Sequence, residues 1–552
     1  MLQMLKEKIK HEILIALKKA DYILDADFVP SLENTKDVTH GDFATNVAMH
    51  LAKVAKKNPR EIAQDIIANF DTNTTHVDKL EMAGPGFINF FMNKEALTKT
   101  INVINDLAIN YGHNESGAGE KYCVEYVSAN PTGDLHLGHA RGAAIGDSLC
   151  RILNVSGYEV VREYYVNDAG NQIRNLVLSV YNRYLEALGH DFNMPEDGYH
   201  GADVANFGRE LSVKYGDKFV EKLDEHFDFL REVSLEFEIA KIRQDLSDFR
   251  VEFDLFVSEQ SLYDNGLVAK AIDLLDEKGY IYENDGALWL RSTDFGDDKD
   301  RVLKKSDGTY TYLTPDIANH IEKIKRGNNK LVDLWGADHH GYIARVKASL
   351  QALGHDENKL EVDIIQMVRA IKDGAEFKMS KRTGKAITLR DLMEEVGVDA
   401  VRYFFASRNA ETQMDFDLDL ATKQSNENPV YYAQYAFART CSLLREAAKQ
   451  GFEPVLKSSY SNLTHEKEIE VLKLMGDFPT IVADAARKRK PHMICNYVHD
   501  LVGAFHSLYG AKKFIDANDK DGTTERLALI KALNMTIKNA LNLIGVSAPE
   551  SM

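Results

Sequence analysis

Ser128-Ala129-Asn130-Pro131-Thr132-Gly133-Asp134-Leu135-His136-Leu137-Gly138-His139 is the stretch on which the reading of this chain turns. YCVEYV, at 122–127, runs into it as a short β-rich segment, and a helical pattern follows from about His139 to Val155. YEVVREYYV, at 158–166, then reads as a second strand. Strand, loop, helix and strand make a βαβ unit, which implies a parallel sheet. The quoted residues sit where the first strand hands over to the helix. At such a junction the free helix N–H groups and the helix dipole favour a bound phosphate. Two histidines at i and i+3 meet on one face of the first turn, and Gly138 leaves room for a flat ring to approach the backbone. Imidazoles placed there can hydrogen-bond a triphosphate as negative charge shifts during attack at its α-phosphorus. The H-x-G-H string also suits a zinc site or a plain helix start. No third Cys, His or Asp stands at a helical spacing that would complete a metal site.

Outward from this unit, two further buried-strand candidates occur, KLVDLWGA at 330–337 and EVDIIQM at 361–367. Between them and the first unit the pattern predicts a largely helical insertion over roughly 168–300. Residues 1–112 read as a separate α/β unit. Its first helix covers about 2–20, Met82-Ala83-Gly84-Pro85-Gly86 marks a turn, and FINFFM at 87–92 alternates as a strand does. The Gly-rich stretch 112–119 reads as a linker, and 118–424 as the sheet-bearing domain. From 425 to 552 the pattern is helical almost throughout, which predicts a C-terminal helical bundle.

Composition sets bounds on all of this. The 552 residues are 44% hydrophobic and 28% charged, ordinary globular usage that excludes a disordered or fibrous chain. Four cysteines without a C-x-x-C pair argue against a disulfide framework or a four-Cys zinc site and favour a reducing, cytoplasmic setting. The start of the chain has no apolar h-region, and no long apolar run suggests a membrane span. Net charge is −18, yet residues 421–552 carry 17 Lys and Arg against 14 Asp and Glu, with Arg487, Lys488, Arg489 and Lys490 in one run. Such a run is either a solvated helix end or a phosphate contact.

A second basic segment, Phe377-Lys378-Met379-Ser380-Lys381-Arg382-Thr383-Gly384, follows the last sheet strand. Alone it reads as a solvated loop or as a clamp for nucleotide phosphates. H-L-G-H and K-M-S-K-R, roughly 240 residues apart with a βαβ unit at the front, resemble the signature pair of class I aminoacyl-tRNA synthetases. Leu for Ile in the first motif and Arg for the final Ser in the second are small departures. Several further segments resemble the arginyl-tRNA synthetase family: Arg162–Gly170, Trp335–Tyr342, Gly545–Met552 and, near the N-terminus, Gly41–Asn46 and Gly84–Asn89. The resemblance covers nearly the whole chain. Many arginyl enzymes have a degraded second motif, whereas this chain keeps an almost complete one.

The resemblance implies a class I Rossmann-like catalytic domain, an N-terminal tRNA-binding domain and an all-α anticodon-binding bundle. It implies an arginine–tRNA ligase that uses ATP with Mg2+ as its substrate complex and no tightly bound protein metal. Its partners would be L-arginine and arginine tRNA, with a monomer as the default state. His136, His139, Lys378 and Lys381 are the implied catalytic residues. Pro131, Thr132, Gly133, Gly138, Gly336, Asp338, His339, Met379 and Ser380 join the two histidines as the implied ATP contacts. Glu125, Ser128, Asn130, Tyr312 and Asp316 match positions that hold arginine. A guanidinium has five donors and a permanent charge, so carboxylates in a fixed fork suit it. The competing roles are an ion pair at the sheet end for Glu125, a helix N-cap for Asp316 and core packing for Tyr312. In the bundle, Tyr431 and Tyr435, with Tyr432 and Phe437, offer stacking surfaces to unpaired bases, and Arg487 and Lys488 offer phosphate contacts. Core packing competes for at least two of the four aromatic rings. Arginine lacks a close isostere, so charge selection suffices without hydrolytic editing, and the sequence shows no editing domain.

Other readings are a class I enzyme for another amino acid and a silent RNA-binding paralogue. A cysteinyl enzyme needs zinc ligands that are absent, and a glutamyl enzyme needs basic residues where Glu125 and Asp316 stand. A nucleotidyltransferase shares the first motif but leaves the helical C-terminal region unexplained.

Overall fold

The computed structural model describes residues 2–25, 27–35, 38–377 and 387–552. Near the N-terminus, Leu5, Ile9, Ile13, Ala16 and Leu17 recur at helical spacing and bury one face of the helix Leu2–Lys19. A four-stranded antiparallel sheet follows, in the order Glu33–Asn34, Phe43–Thr45, Phe87–Met92, Val77–Ala83. The hairpin joining its last two strands turns at Gly86, with φ +133°. A Cβ there would stand 2.9 Å from Pro59 Cβ, so only glycine fits.

The central sheet has five parallel strands: β1 (Lys121–Glu125), β2 (Glu159–Val166), β3 (Leu255–Ser258), β4 (Lys330–Gly336) and β5 (Leu360–Ile365). Their spatial order is β5-β4-β1-β2-β3. Strand order reverses between β1 and β4, and in open parallel sheets the crevice above such a reversal is where ligands bind. Helix α1 (Leu137–Val155) returns the chain from β1 to β2 and is buried along most of its length. Gly146 lets it lie against the end of β1, because a Cβ there would meet the Tyr126 ring at 2.4 Å.

The expected helical insertion needs correction. Helices Asn171–Leu188, Ala202–Tyr215 and α2 (Leu223–Asp248) do separate β2 from β3 and carry a hydrophobic cluster of their own. β3 itself lies within 168–300 but belongs to the main sheet. A three-stranded antiparallel sheet, Ile281–Asn284, Ala287–Leu290 and Arg301–Lys304, stands between β3 and helix α3 (Leu313–Lys325). These short strands carry too few residues for alternation to stand out from helical periodicity.

The C-terminal region contains α4 (Pro429–Lys449), α5 (Glu466–Lys488), α6 (His492–Ala511) and α7 (Lys520–Leu543). The bundle is stitched to its neighbours by polar contacts. Lys6 reaches Asp477 at 2.7 Å, and the Tyr111 hydroxyl donates to the Met475 carbonyl at 2.7 Å. Arg489 pairs with Asp363 at 2.8 Å and with Glu361, both on β5. Arg402 and Asp147 are fully buried and paired, and Arg402 also donates to the carbonyls of Phe249 at 2.9 Å and Ile544 at 3.0 Å. Among the described residues no helix is long and apolar enough to cross a membrane.

Candidate active site

The carboxyl ends of β1 and β4 open into a cleft of about 1390 Å³. Glu125 ends β1, and the chain then turns sharply: Val127 and Ser128 both take left-handed φ, +68° and +38°. Consecutive non-glycine residues in that region are strained, and neighbouring contacts must hold them. Here Ser128 Oγ donates to Glu125 Oε1 at 3.1 Å and accepts from the Tyr165 N–H at 3.1 Å. The turn thereby fixes the Glu125 carboxylate at the floor of the cleft.

Helix α3 supplies the opposite wall. Asp316, His320 and Lys323 fall at i, i+4 and i+7 and share one face. Lys323 Nζ is fully buried, 2.6 Å from Glu125 Oε2 and 3.0 Å from Asp333 Oδ1. His320 Nε2 stands 2.8 Å from Asp333 Oδ2, and its Nδ1 is 2.7 Å from the Asp316 carbonyl oxygen. Burial works to lower the His320 pKa, but Asp333 outweighs it and holds the ring above its ordinary value. Asp316 accepts a hydrogen bond from the Tyr342 hydroxyl. Glu259, the residue after β3, is buried against Tyr165 and lines the same space.

Electrostatically the floor is short of positive charge. Burial raises Glu125 to about 7, with Lys323 opposing, and raises Glu259 to about 7 as well. Asp316 is likewise raised by burial. Desolvated carboxylates with elevated pKa, converging on one cleft, mark a place that a cation would complete.

The first motif stands beside this cleft. His136 is the N-cap of α1. Its Nδ1 accepts from the Gly138 N–H at 3.1 Å, and His139 Nδ1 accepts from the His136 N–H at 3.3 Å. This reciprocal capping box is built from imidazoles where carboxylates and hydroxyls are usual. The rings stack with centroids 3.7 Å apart. Because both Nδ1 atoms are acceptors, each neutral ring carries its proton on Nε2, ready to donate. Burial holds His139 down to about 3, and His136 is lowered by the same cause.

The cleft brings together seven of the expected residues: Glu125, Ser128, Asn130, Tyr312, Asp316, Gly336 and His339. Asn130 Nδ2 donates to Gln172 Oε1 at 2.9 Å. Pro131, Thr132, Gly133, His136, Gly138 and His139 lie on the adjoining loop and helix start, outside its lining. Asp338 is exposed, 3.5 Å from His339. Lys378, Met379, Ser380 and Lys381 fall outside the described residues.

Of the competing roles, the ion pair holds for Glu125, which nevertheless still faces the cleft. Asp316 is not the α3 cap, since it lies inside the first turn. Tyr312 is 76% exposed and forms no part of a core. Glu259 and Lys323 are the residues that sequence reasoning missed. The stripe Asp316, His320, Lys323 could have exposed Lys323. Glu259 carried no signal, because it stands just past a strand of only four residues.

In the bundle, Tyr431 and Tyr435 are half-buried and stack with centroids 5.9 Å apart. Arg439 donates to the Tyr435 hydroxyl at 2.7 Å and lies over the rings of Tyr435 and Tyr509. Phe437 is buried in the core, and Tyr432 packs near His506. Arg487 and Lys488 are exposed and share Asp484, whereas Arg489 of the same run is turned onto β5. Among the described residues no cluster of His, Cys, Asp and Glu could hold a metal ion.

Comparison with known proteins gives a family for each part of the chain. Residues 103–426 match the family described as "tRNA synthetases class I (R), catalytic domain". Residues 7–92 match "Arginyl tRNA synthetase N terminal domain", and 433–552 match "DALR anticodon binding domain". The arginine–tRNA ligases of Bacillus pumilus and Bacillus subtilis are each 57% identical to this chain over 100% of its length and 99% of theirs. A solved arginyl-tRNA synthetase structure from Thermus thermophilus, 21% identical, superposes with TM-score 0.75 over 98% of this chain and 99% of its own. A Campylobacter jejuni structure ascribed to the same family, 35% identical, reaches 0.77 over 84% of this chain and 100% of its own. By sequence along its full length and by fold, the chain belongs to the arginyl-tRNA synthetases, a class I aminoacyl-tRNA synthetase family.

Proposed function

We propose that this chain is an arginine–tRNA ligase whose amino-acid pocket is the anionic cleft between β1 and β4. The observation that carries this reading is the convergence of three desolvated carboxyl groups, Glu125, Glu259 and Asp316, beside a pair of neutral, donor-ready histidines. Arginine enters with its guanidinium toward the carboxylates and its own carboxylate toward the first motif. Glu125 and Asp316, with Tyr312, Ser128 and Asn130, hold it there. A permanent planar cation matches this fork better than a lysine ammonium does.

ATP lies along Pro131–Gly133 and the start of α1, with its adenosine side against Gly336, Asp338 and His339. Mg2+ accompanies it as the counterion of its phosphates. The arginine carboxylate attacks the α-phosphorus in line, the bond to the β-phosphate oxygen breaks, and pyrophosphate leaves. His136 and His139 donate from Nε2 to the phosphate oxygens as charge accumulates on them. Lys381 and Lys378, with Met379 and Ser380 between them, belong on the departing pyrophosphate. A hydroxyl of the 3′-terminal adenosine then attacks the carbonyl carbon of arginyl-adenylate, and AMP leaves. No protein nucleophile is needed, because positioning and charge stabilisation lower the barrier.

We assign residues 1–112 to tRNA binding, 118–424 to catalysis and 425–552 to the anticodon. Tyr431 and Tyr435, favoured by their stacking, and Arg487 and Lys488, favoured by their exposure, are the RNA contacts. The enzyme works in the cytoplasm as a monomer. The test is ATP–pyrophosphate exchange with L-arginine, with and without tRNA, against lysine, cysteine and glutamate. Exchange with arginine that requires tRNA is the expected result. No exchange with any amino acid, from folded protein that still binds tRNA, would instead mark a silent paralogue.

A further inference from the structure

Helix α2 carries a polar stripe that its packing does not require. Glu238, Lys241, Asp245 and Asp248 recur at spacings of three, four and three, so they lie along one face. Glu238 and Asp245 are buried, with side chains 1% and 7% exposed. Burying charge along a helix opposes stability unless the charges are paired, so the partners show what the stripe holds.

At one end, Lys241 Nζ bonds Asp134 Oδ1 at 3.0 Å, with Asp203 and Glu238 completing its surroundings. Asp134 stands two residues before His136. At the other end, Arg390 donates to Asp245 Oδ1 at 2.8 Å and to Asp248 Oδ2 at 2.8 Å. Arg390 stands two residues after Thr388, which forms an isolated antiparallel bridge with His136. The bridge is closed by Leu137 N–H donating to the Ile387 carbonyl at 3.2 Å and by Leu389 N–H donating to the Leu135 carbonyl at 2.6 Å. One helix face therefore grips both backbone strips that meet at His136.

We propose that Lys241 and Arg390 are positioning residues for adenylate formation, with α2 acting as a clamp that holds His136 in register from both sides. This rests on the assignment of His136 to ATP phosphates. The clamp touches no arginine-binding group, so its effect belongs in the chemical step and in ATP binding.

The experiment is tRNA-dependent pyrophosphate exchange with full-length Asp134→Asn, Arg390→Gln, the double variant and Arg390→Lys, each with its melting temperature. Each of the first two should lower kcat about tenfold, since small displacements of a reacting group are costly, with the KM for arginine within twofold of wild type. The double variant should fall well short of the product of the single losses, because both act through one histidine, while melting-temperature changes add. Arg390→Lys should recover part of the rate. An unchanged kcat in either single variant, a loss confined to the KM for arginine, or multiplicative losses in the double variant would overturn the clamp. If a variant melts too low to assay, 15N-edited imidazole spectra of the other read His136 directly. An unshifted His136 signal there would also overturn the clamp. Absence of exchange in the wild type would instead count against the assignment of function.

Discussion

His139 is the residue where local structure and chemistry are hardest to separate. Its Nδ1 is committed to the helix cap, so protonating it breaks a structural hydrogen bond as well as charging a desolvated ring. With a folded pKa of about 3, below the ordinary histidine value, the unfolded chain binds the extra proton between about pH 3 and 6.5. Stability from this group is therefore complete above 6.5 and is lost as pH falls through that window. We expect the His139 ring signals in an NMR titration to stay flat from pH 8 to pH 5, and a transition near 6.5 would show that burial does not hold the ring neutral.

The carboxylates behave oppositely. Glu125 and Glu259, at about 7, are above the unfolded value, so their stabilising contribution is present at acid pH and is lost as pH rises through 7. A bound guanidinium reverses that loss. The arginine-induced rise in melting temperature should thus be larger at pH 8 than at pH 6. Glu125→Gln and Glu259→Gln should each raise the KM for arginine by about a hundredfold, the scale of a buried charge-assisted hydrogen bond. Initial rates of exchange against arginine concentration would show it. These residues also mark what could be read beforehand. That Glu125 and Asp316 belong to one cleft was legible from the family resemblance. Lys323 was legible only through the stripe it shares with Asp316 and His320, because a lysine in an amphipathic helix ordinarily faces water, whereas the buried acids Glu125, Glu163 and Asp333 turn it inward.

At the scale of elements, the parallel sheet and the helix after β1 were legible because their apolar runs are long. β3 was not, since four residues cannot display a period. α6 falls within the helical pattern of 425–552, although His492, Asn496, His499 and His506 dilute its apolar face. Arg402 shows how such elements are fastened. It joins α1 through Asp147, the end of α2 through Phe249 and the chain's end through Ile544. Arg402→Met leaves Asp147 with Arg151 as its remaining partner at 2.7 Å but removes the donor to the Phe249 and Ile544 carbonyls, and should cost roughly 3 kcal/mol in urea unfolding.

Across the whole molecule, the bundle touches both other regions, through Arg489 to β5 and through Asp477 and Met475 to the N-terminal unit. Tyr431, Tyr435 and Arg439 form a half-buried set of stacked planes on α4. Tyr435→Ala should raise the KM for tRNA in aminoacylation about tenfold, the loss of one base-stacking platform. The KM for arginine at saturating tRNA should stay within twofold, and a parallel rise in both would place Tyr435 in the fold instead. The bundle's modest positive excess, set against an acidic remainder, predicts that tRNA affinity weakens with added salt.

The lining of the cleft has one practical consequence. The chain has two tryptophans, and one of them, Trp335 on β4, lies in the cleft within 6.3 Å of His339 and 5.8 Å of Tyr342. Its indole emission is a built-in optical gauge of ligand arrival. Stopped-flow mixing could time the docking of each substrate in unlabelled protein, with Trp335→Phe as the blank that leaves only Trp289, which does not line the cleft, to fluoresce.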